Sequence, residues 1–221
     1  MKLTLSYQPL ELLPPFAYAA VFKIEVEDEV ISAQLDIEYL GREHVSDDEL
    51  KAEGFTKNDD FSWSGELDAR WKQDLVYFEN QDTQSEPDEH TYLHIHMNGV
   101  DKGFPKHSGE AEMRFQELMQ AVLETSEIES PLEAEVLVGN IHYALQWSFQ
   151  KRQVSINKLS SYNWEVGRDL MSILFNRDFE SLKPSKKTTA NTINPGDGFW
   201  YPIEETKSIN SISRLVNQLT S

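Results

Sequence analysis

Three histidines are the residues of this sequence whose spacing best suits chemistry. His90, His94 and His96 share parity in and just before the segment 91–97, whose alternating apolar residues predict a β-strand, so their side chains point to one face. Imidazoles two residues apart on a strand lie about 6.5–7 Å apart at Cα, which is close enough to chelate one metal ion. The pattern yields the hypothesis of a divalent metal site; the alternative is the polar side of an ordinary half-buried strand.

Two groups of aromatic residues are candidate contacts for a ligand or a partner. Phe199, Trp200 and Tyr201 follow the turn-forming run Pro-Gly-Asp-Gly, and Phe61 and Trp63 lie in a segment without periodicity. Exposed aromatic rings stack on ligands, but each buried ring also removes roughly 150–250 Å² from water. The alternative interpretation is therefore that these rings anchor loops to the core.

Other catalytic and cofactor motifs are missing from the sequence. The chain has no cysteine, which excludes disulfides, thiolate zinc sites and a cysteine nucleophile. It contains no nucleophile elbow, phosphate-binding glycine loop or calcium-loop pattern. The sequence therefore favours a non-enzymatic role and indicates no cofactor beyond the metal of the histidine hypothesis.

Charge is the most distinctive property of the chain. Asp and Glu number 38 against 20 Lys and Arg, for a net charge of −18. Residues 1–150 hold 31 acidic and 10 basic side chains, whereas residues 151–221 hold 7 and 10. Such a field repels nucleic acid and anionic membranes and attracts basic proteins. Two alternatives are solubility alone and an internal clasp between the basic C-terminal segment and the acidic body.

The elements that position these residues predict an α+β fold. Alternation and turn signals predict strands over 1–7, 17–26, 29–40, 91–97, 100–104, 132–138, 141–149 and 153–157. Helices are expected after Ser46, over 67–78, after Ser108, after Ser161 or Asn163, and over 209–219, whereas 55–66 is expected to be a loop. The prediction is one antiparallel sheet of seven or eight strands, built from ββα-like units, with helices on one face and a long C-terminal arm.

The predicted domain organisation follows from a change of composition near residue 180. Residues 1–180 are expected to form a single α+β domain, and residues 181–221 an arm rich in proline and glycine that ends in a short docking helix. A boundary in the acidic loop 79–89 is the alternative. The N-terminus is too polar for a signal peptide, and no apolar run approaches the ~18 residues of a membrane helix, so the expected location is cytoplasmic.

Three functional hypotheses follow from the sequence. The first is a non-enzymatic protein-binding module whose acidic surface engages a basic protein; small acidic inhibitors and immunity-type proteins are analogous in charge alone. The second is a metal-dependent enzyme or metal binder that uses His90, His94 and His96. The third is a structural subunit of an assembly whose arm docks on a neighbouring subunit. The oligomeric state is not predicted.

Overall fold

A computed structural model describes residues 1–161, 163–203 and 206–220 of the chain. Contacts divide the chain into two compact units, Met1–Ser126 and Glu127–Ser221. The domain organisation expected from composition, with residues 1–180 as one domain and residues 181–221 as an arm, stays a prediction.

The first unit is built on a seven-stranded antiparallel sheet with the strand order β4-β3-β2-β1-β6-β7-β5. Its strands are β1 (Lys2–Pro9), β2 (Tyr18–Glu27), β3 (Val30–Tyr39), β4 (Phe61–Leu67), β5 (Thr83–Gln84), β6 (Thr91–Met97) and β7 (Val100–Pro105). Alternate residues of the central strands are buried; in β3 these are Ile31, Ala33, Leu35 and Ile37. The alternation leaves one apolar face and one open, polar face.

The described residues of the first unit form three helices, and the last of them packs on the sheet. They are α1 (Asp47–Ala52), α2 (Lys72–Asn80) and α3 (Ser108–Thr125), with short 3-10 turns at Arg42–His44 and Ala69–Trp71. Helix α3 packs on β4, β6 and β7 and buries Phe115, Leu118 and Val122. The apolar positions recur at helical spacing, so one stripe of the helix faces the sheet.

The predicted helix caps are confirmed at one helix and wrong at another. Ser46 and Glu49 form the expected capping box at α1, with the side chain of each residue bonded to the backbone of the other. At α3, however, Ser108 is the first helical residue and His107 occupies the cap position without a side-chain bond. At the helix Trp164–Phe175, Asn163 rather than Ser161 is the cap, and it accepts from the amide of Val166.

The second unit is a smaller version of the same plan. Its described strands are β8 (Leu132–Val138), β9 (Ile141–Ser148), β10 (Gln153–Ile156), β11 (Leu159–Ser161), β12 (Thr192–Asn194) and β13 (Tyr201–Pro202), in the antiparallel order β11-β10-β9-β8-β12-β13. Two helices, α4 (Trp164–Phe175) and α5 (Thr206–Thr220), pack on β10 and on each other, and Phe179–Ser181 forms a 3-10 turn. Trp147 is fully buried beneath α4, and its indole N–H donates to the carbonyl of Gly167 at 2.8 Å.

The α+β class with antiparallel strands is confirmed, but two details of the prediction are wrong. The strands form two sheets instead of one. Residues 61–66, expected within a loop, and Leu67, expected to begin a helix, form β4; it pairs with residues 31–37 of β3, with Trp63 opposite Leu35. The alternation fails there because β4 is an edge strand in which Gly65 leaves room for the Trp63 ring, 2.5 Å from where a Cβ would lie.

The C-terminal segment is built into the second sheet. Thr192–Asn194 pairs with β8, and Ser185 exchanges two backbone hydrogen bonds with Trp200. Its backbone is thus occupied within its own unit, and docking of the arm on a neighbouring subunit stays a prediction. Of the helices that the structure describes, none is long and apolar enough to cross a membrane.

Candidate functional site

The histidine segment forms the expected strand. His94 and His96 lie on the polar side of β6, while Leu93, Ile95 and Met97 are buried on the other side. Nε2 of His94 lies 2.8 Å from Oδ1 of Asp101. The half-buried polar side of the strand is thus a sufficient structural account of the alternation.

His90 precedes the strand and contacts a different part of the chain. Its Nδ1 lies 2.8 Å from Oε1 of Glu11, and its Nε2 lies 3.3 Å from Glu89. The hydrogen bond and the charge of Glu11 raise the pKa of His90 above its usual 6.5. The contact with Glu11 therefore favours the protonated form of His90.

The described parts of the chain contain no three-ligand cluster that could form a metal centre. Over 1–161, 163–203 and 206–220, no group of three or more histidine, aspartate or glutamate side chains is placed to hold a metal ion. His90 and His94 each pair with a carboxylate from a different element. The divalent metal, and with it the metal-dependent enzyme, stays a prediction that no ligand geometry supports.

The aromatic candidates serve mainly as packing groups. Trp200 and Tyr201 are buried in the second unit, where the Tyr201 hydroxyl donates to Asp197 at 2.6 Å and the Tyr201 ring meets Phe179 edge to face. Only Phe199 of this group is exposed.

Phe61 and Trp63 lie half-buried on the edge strand β4, on its helix-covered side. As contacts for a ligand or partner, the five rings remain predictions.

The open face of the second sheet forms a polar groove that sequence reasoning missed. It encloses about 530 Å³. Its lining includes Glu133, Glu135, Gln146, Gln153, Ser160 and Asn194. The amide of Gln146 donates to Glu133 at 2.8 Å, and that of Gln153 donates to Ser160 at 2.6 Å. These polar groups therefore satisfy one another across neighbouring strands. The alternating polar residues of β8 and β9 were the available signal, but only strand register brings them together.

The net charge of the chain belongs almost entirely to the first unit. Residues 1–126 contain 27 acidic and 10 basic side chains, a net charge of −17. Residues 127–221 contain 11 and 10, a net charge of −1. Exposed carboxylates fall at the β2–β3 turn, including Glu27, Asp28 and Glu29, and at the start of α1. Hydrogen bonds from Lys57 to Asp47 and from Ser46 to Glu49 lower the pKa of both acids, so both are charged at neutral pH.

An exposed apolar loop lies at one end of the first sheet. Residues 10–16 connect β1 to β2 and expose four large apolar side chains, which are Leu10, Leu12, Leu13 and Phe16. The described residues expose eleven such side chains in all, so more than a third of them fall within seven positions. A cluster of this kind is characteristic of an interaction surface.

Comparison with known proteins gives no match to a family model, to a curated protein or to a solved structure. The functional conclusion therefore depends on the geometry and charge of the chain itself.

Proposed function

We propose that this chain is a non-enzymatic protein-binding module whose acidic first unit engages a basic protein. The observation that carries the proposal is the concentration of charge in one of two units with the same plan: −17 in the first and −1 in the second. A fold that required acidity would show it in both units.

The size of this charge exceeds what solubility requires. A small domain stays soluble with a net charge of magnitude about 2–8, whereas the first unit carries −17 over 126 residues. Excess like charge also opposes folding through self-repulsion. A positively charged partner would account for the excess charge, because complementary electrostatic fields accelerate association and exclude wrong partners.

Neutralisation within the chain is a weaker explanation of the charge. The cations of residues 151–221 belong to a unit whose own acids already outnumber its basic side chains by one. The chain as a whole keeps a net charge of −18. An internal clasp would thus leave nearly all of the negative charge unbalanced.

Capture of a partner, followed by binding of the purified pair, tests the proposal. The immobilised chain is expected to retain a basic protein from lysate of its own cells at low salt and to release it at high salt. With the purified partner, the association rate constant is expected to fall by about tenfold or more between low and high ionic strength, because screening shortens the range of the field.

Matched neutralising variants locate the binding unit. Exposed acids of the first unit are removed in Glu27→Gln/Glu38→Gln/Asp48→Asn/Glu66→Gln, and those of the second unit in Glu127→Gln/Glu135→Gln/Asp169→Asn/Glu180→Gln. Both variants change the net charge equally, but only the first is expected to slow association. Equal effects of both variants, or no basic protein captured at low salt, would refute the proposal.

A further inference from the structure

The large apolar side chains of the apolar loop, residues 10–16, are exposed to water. Leu13 is 75% exposed, and the other three large apolar residues of the loop are at least 42% exposed. Full burial of a leucine or phenylalanine is worth about 1.5–3 kcal/mol, and each of these side chains forgoes part of that. Function is the usual reason for such a cluster, since monomeric proteins otherwise keep their exposed apolar patches small.

The loop is held from beneath by a buried arginine. Arg42 is 1% exposed; its Nε donates to the carbonyl of Pro15 at 2.8 Å, and its Nη1 donates to Asp59 at 2.7 Å. The guanidinium lies over the rings of Tyr39 and Phe55, and Phe55 meets Phe16 edge to face. The loop is therefore ordered before any partner arrives.

Two further contacts hold the loop, one at its first residue and one at Pro14. The amide of Leu10 donates to the carbonyl of His90 at 2.9 Å. The ring of Pro14 occupies the place of a side chain at Gly41, whose φ of +73° also favours glycine. An anchored loop loses little conformational entropy on binding, so more of its contact energy appears as affinity.

Carboxylates lie beside the apolar loop. Glu11 is part of the loop, and Glu43 follows Arg42 in the sequence. Glu89 contacts His90, whose carbonyl accepts a hydrogen bond from the amide of Leu10, the first residue of the loop. The three side chains are between 67% and 86% exposed. An apolar centre with an acidic border is complementary to an apolar patch bordered by lysine or arginine.

We infer that the apolar loop is the docking point of the first unit, and that its partner is a basic protein whose surface presents an apolar patch bordered by lysine or arginine. The inference rests on the proposed function and specifies its contact surface. Leu12 and Leu13 supply the apolar contact, Glu11, Glu43 and Glu89 orient the cations around it, and Arg42 keeps the loop in its binding conformation.

Two synthetic peptides probe the contact with the full chain. One peptide places leucine on one face of a helix and lysine on the other; the second keeps every lysine and replaces leucine by serine. Dissociation constants measured by fluorescence anisotropy are expected to favour the leucine–lysine peptide by about tenfold, a typical effect of one apolar hot spot. The Leu12→Ser/Leu13→Ser variant is expected to lose this preference and to keep its affinity for the lysine–serine peptide.

The control is Val30→Ser/Val100→Ser, which removes two exposed apolar side chains of the same unit outside the loop. Thermal unfolding monitored by circular dichroism should show that both variants remain folded. A preference that survives in the loop variant, or is lost equally in the control, overturns the inference.

Two other results separate the inference from the proposed function. If wild-type protein binds both peptides equally, the acidic surface acts without the apolar loop, and the inference alone fails. If neither peptide binds at low salt, the proposed function fails as well. Sedimentation velocity must show a wild-type monomer; a dimer that the loop variant abolishes would make a second copy of the chain the occupant and contradict the inference.

Discussion

The two units of this chain share a plan and differ in charge. Each is an antiparallel sheet with helices over an apolar face and a second face left open and polar. The first unit carries −17 and the second −1. The covered face therefore specifies the fold, whereas the open face and the loops are free to carry charge that packing does not require.

The units also differ in the use of their buried arginines. In the first unit, Arg42 reaches across to Pro15 and fixes the apolar loop. In the second, Arg168 and Arg152 both pair with Glu165 of α4, Arg168 from the same helix and Arg152 from outside it. The buried arginine of the first unit thus supports a surface loop, while those of the second meet at one helix residue.

The largest expected effect is a loss of stability in the second unit alone. Trp147→Ala removes a fully buried indole and its bond to Gly167, so the free energy of unfolding of the second unit should fall by about 3–5 kcal/mol. Hydrogen exchange measured by mass spectrometry should show lost protection in peptides from 127–221 and retained protection in peptides from 1–126.

Trp63→Ala, on the half-buried edge strand of the first unit, is the control. It should cost less and act on the first unit. Equal loss of protection in both units after Trp147→Ala would mean that the two units unfold together. They would then differ in sequence and charge but would not be independent folding units.

The buried arginine provides the next test. Arg42→Ala removes two backbone contacts and the partner of Asp59, and breaking such a pair costs about 3–5 kcal/mol. The lower end is expected because the Asp59 side chain is 31% exposed and can be hydrated. Urea unfolding of the full chain measures the change.

Arg70→Ala is the surface control, because the side chains of Arg70 and of its partner Asp68 are 40% and 27% exposed and such a pair contributes about 0–1 kcal/mol. Similar losses in the two variants would show that Arg42 does not anchor the loop as described.

Two helix glycines should respond with opposite signs. A Cβ at Gly167 in α4 would lie 2.8 Å from Cγ2 of Val154, whereas a Cβ at Gly109 in α3 meets nothing within 4 Å. Alanine favours a helix by about 1 kcal/mol over glycine, but overpacking costs about 1–3 kcal/mol. Gly109→Ala should therefore stabilise the protein slightly, and Gly167→Ala should destabilise it by about 1 kcal/mol.

Thermal melts measure both changes. If the close approach of helix and sheet causes the loss, Gly167→Ala should cost less in a Val154→Ala background than in the wild type, which a double-mutant cycle measures. A stabilising Gly167→Ala would instead show that the second unit has room between α4 and its sheet.

Local patterns predicted much of the fold. The alternation in β3 and β6 and the capping box at Ser46 depend on residues close in sequence, and each is confirmed. Strand β4 was missed because an edge strand obtains its pairing from a neighbour and needs no clean alternation of its own.

The candidate sites depend on contacts distant in sequence and were less predictable. The apolar loop is held by Arg42, whose partner in the loop, Pro15, lies 27 positions away in the sequence. The same holds for the polar groove, where Gln146 meets Glu133 only through strand register. Composition indicated the acidity, and the contacts of the chain assigned it to one unit.

The smallest expected effect concerns the acidic border of the apolar loop. Glu11 raises the pKa of His90, so the pair's stabilisation is fully present below the unfolded pKa of about 6.5 and is lost as pH rises through the folded value. NMR titration of the histidine ring protons in the full chain should therefore show His90 titrating above 6.5, and Glu11→Gln should lower its midpoint.

Glu135→Gln, in the second unit, is the control because it removes a carboxylate that contacts a different histidine, His142, at 3.5 Å. This substitution should leave the His90 midpoint unchanged. If Glu11→Gln also left it unchanged, Glu11 would not be held against His90, and the acidic border would be less ordered than the loop that it surrounds. The two units would then differ in the amount of charge alone and not in how the charge is positioned.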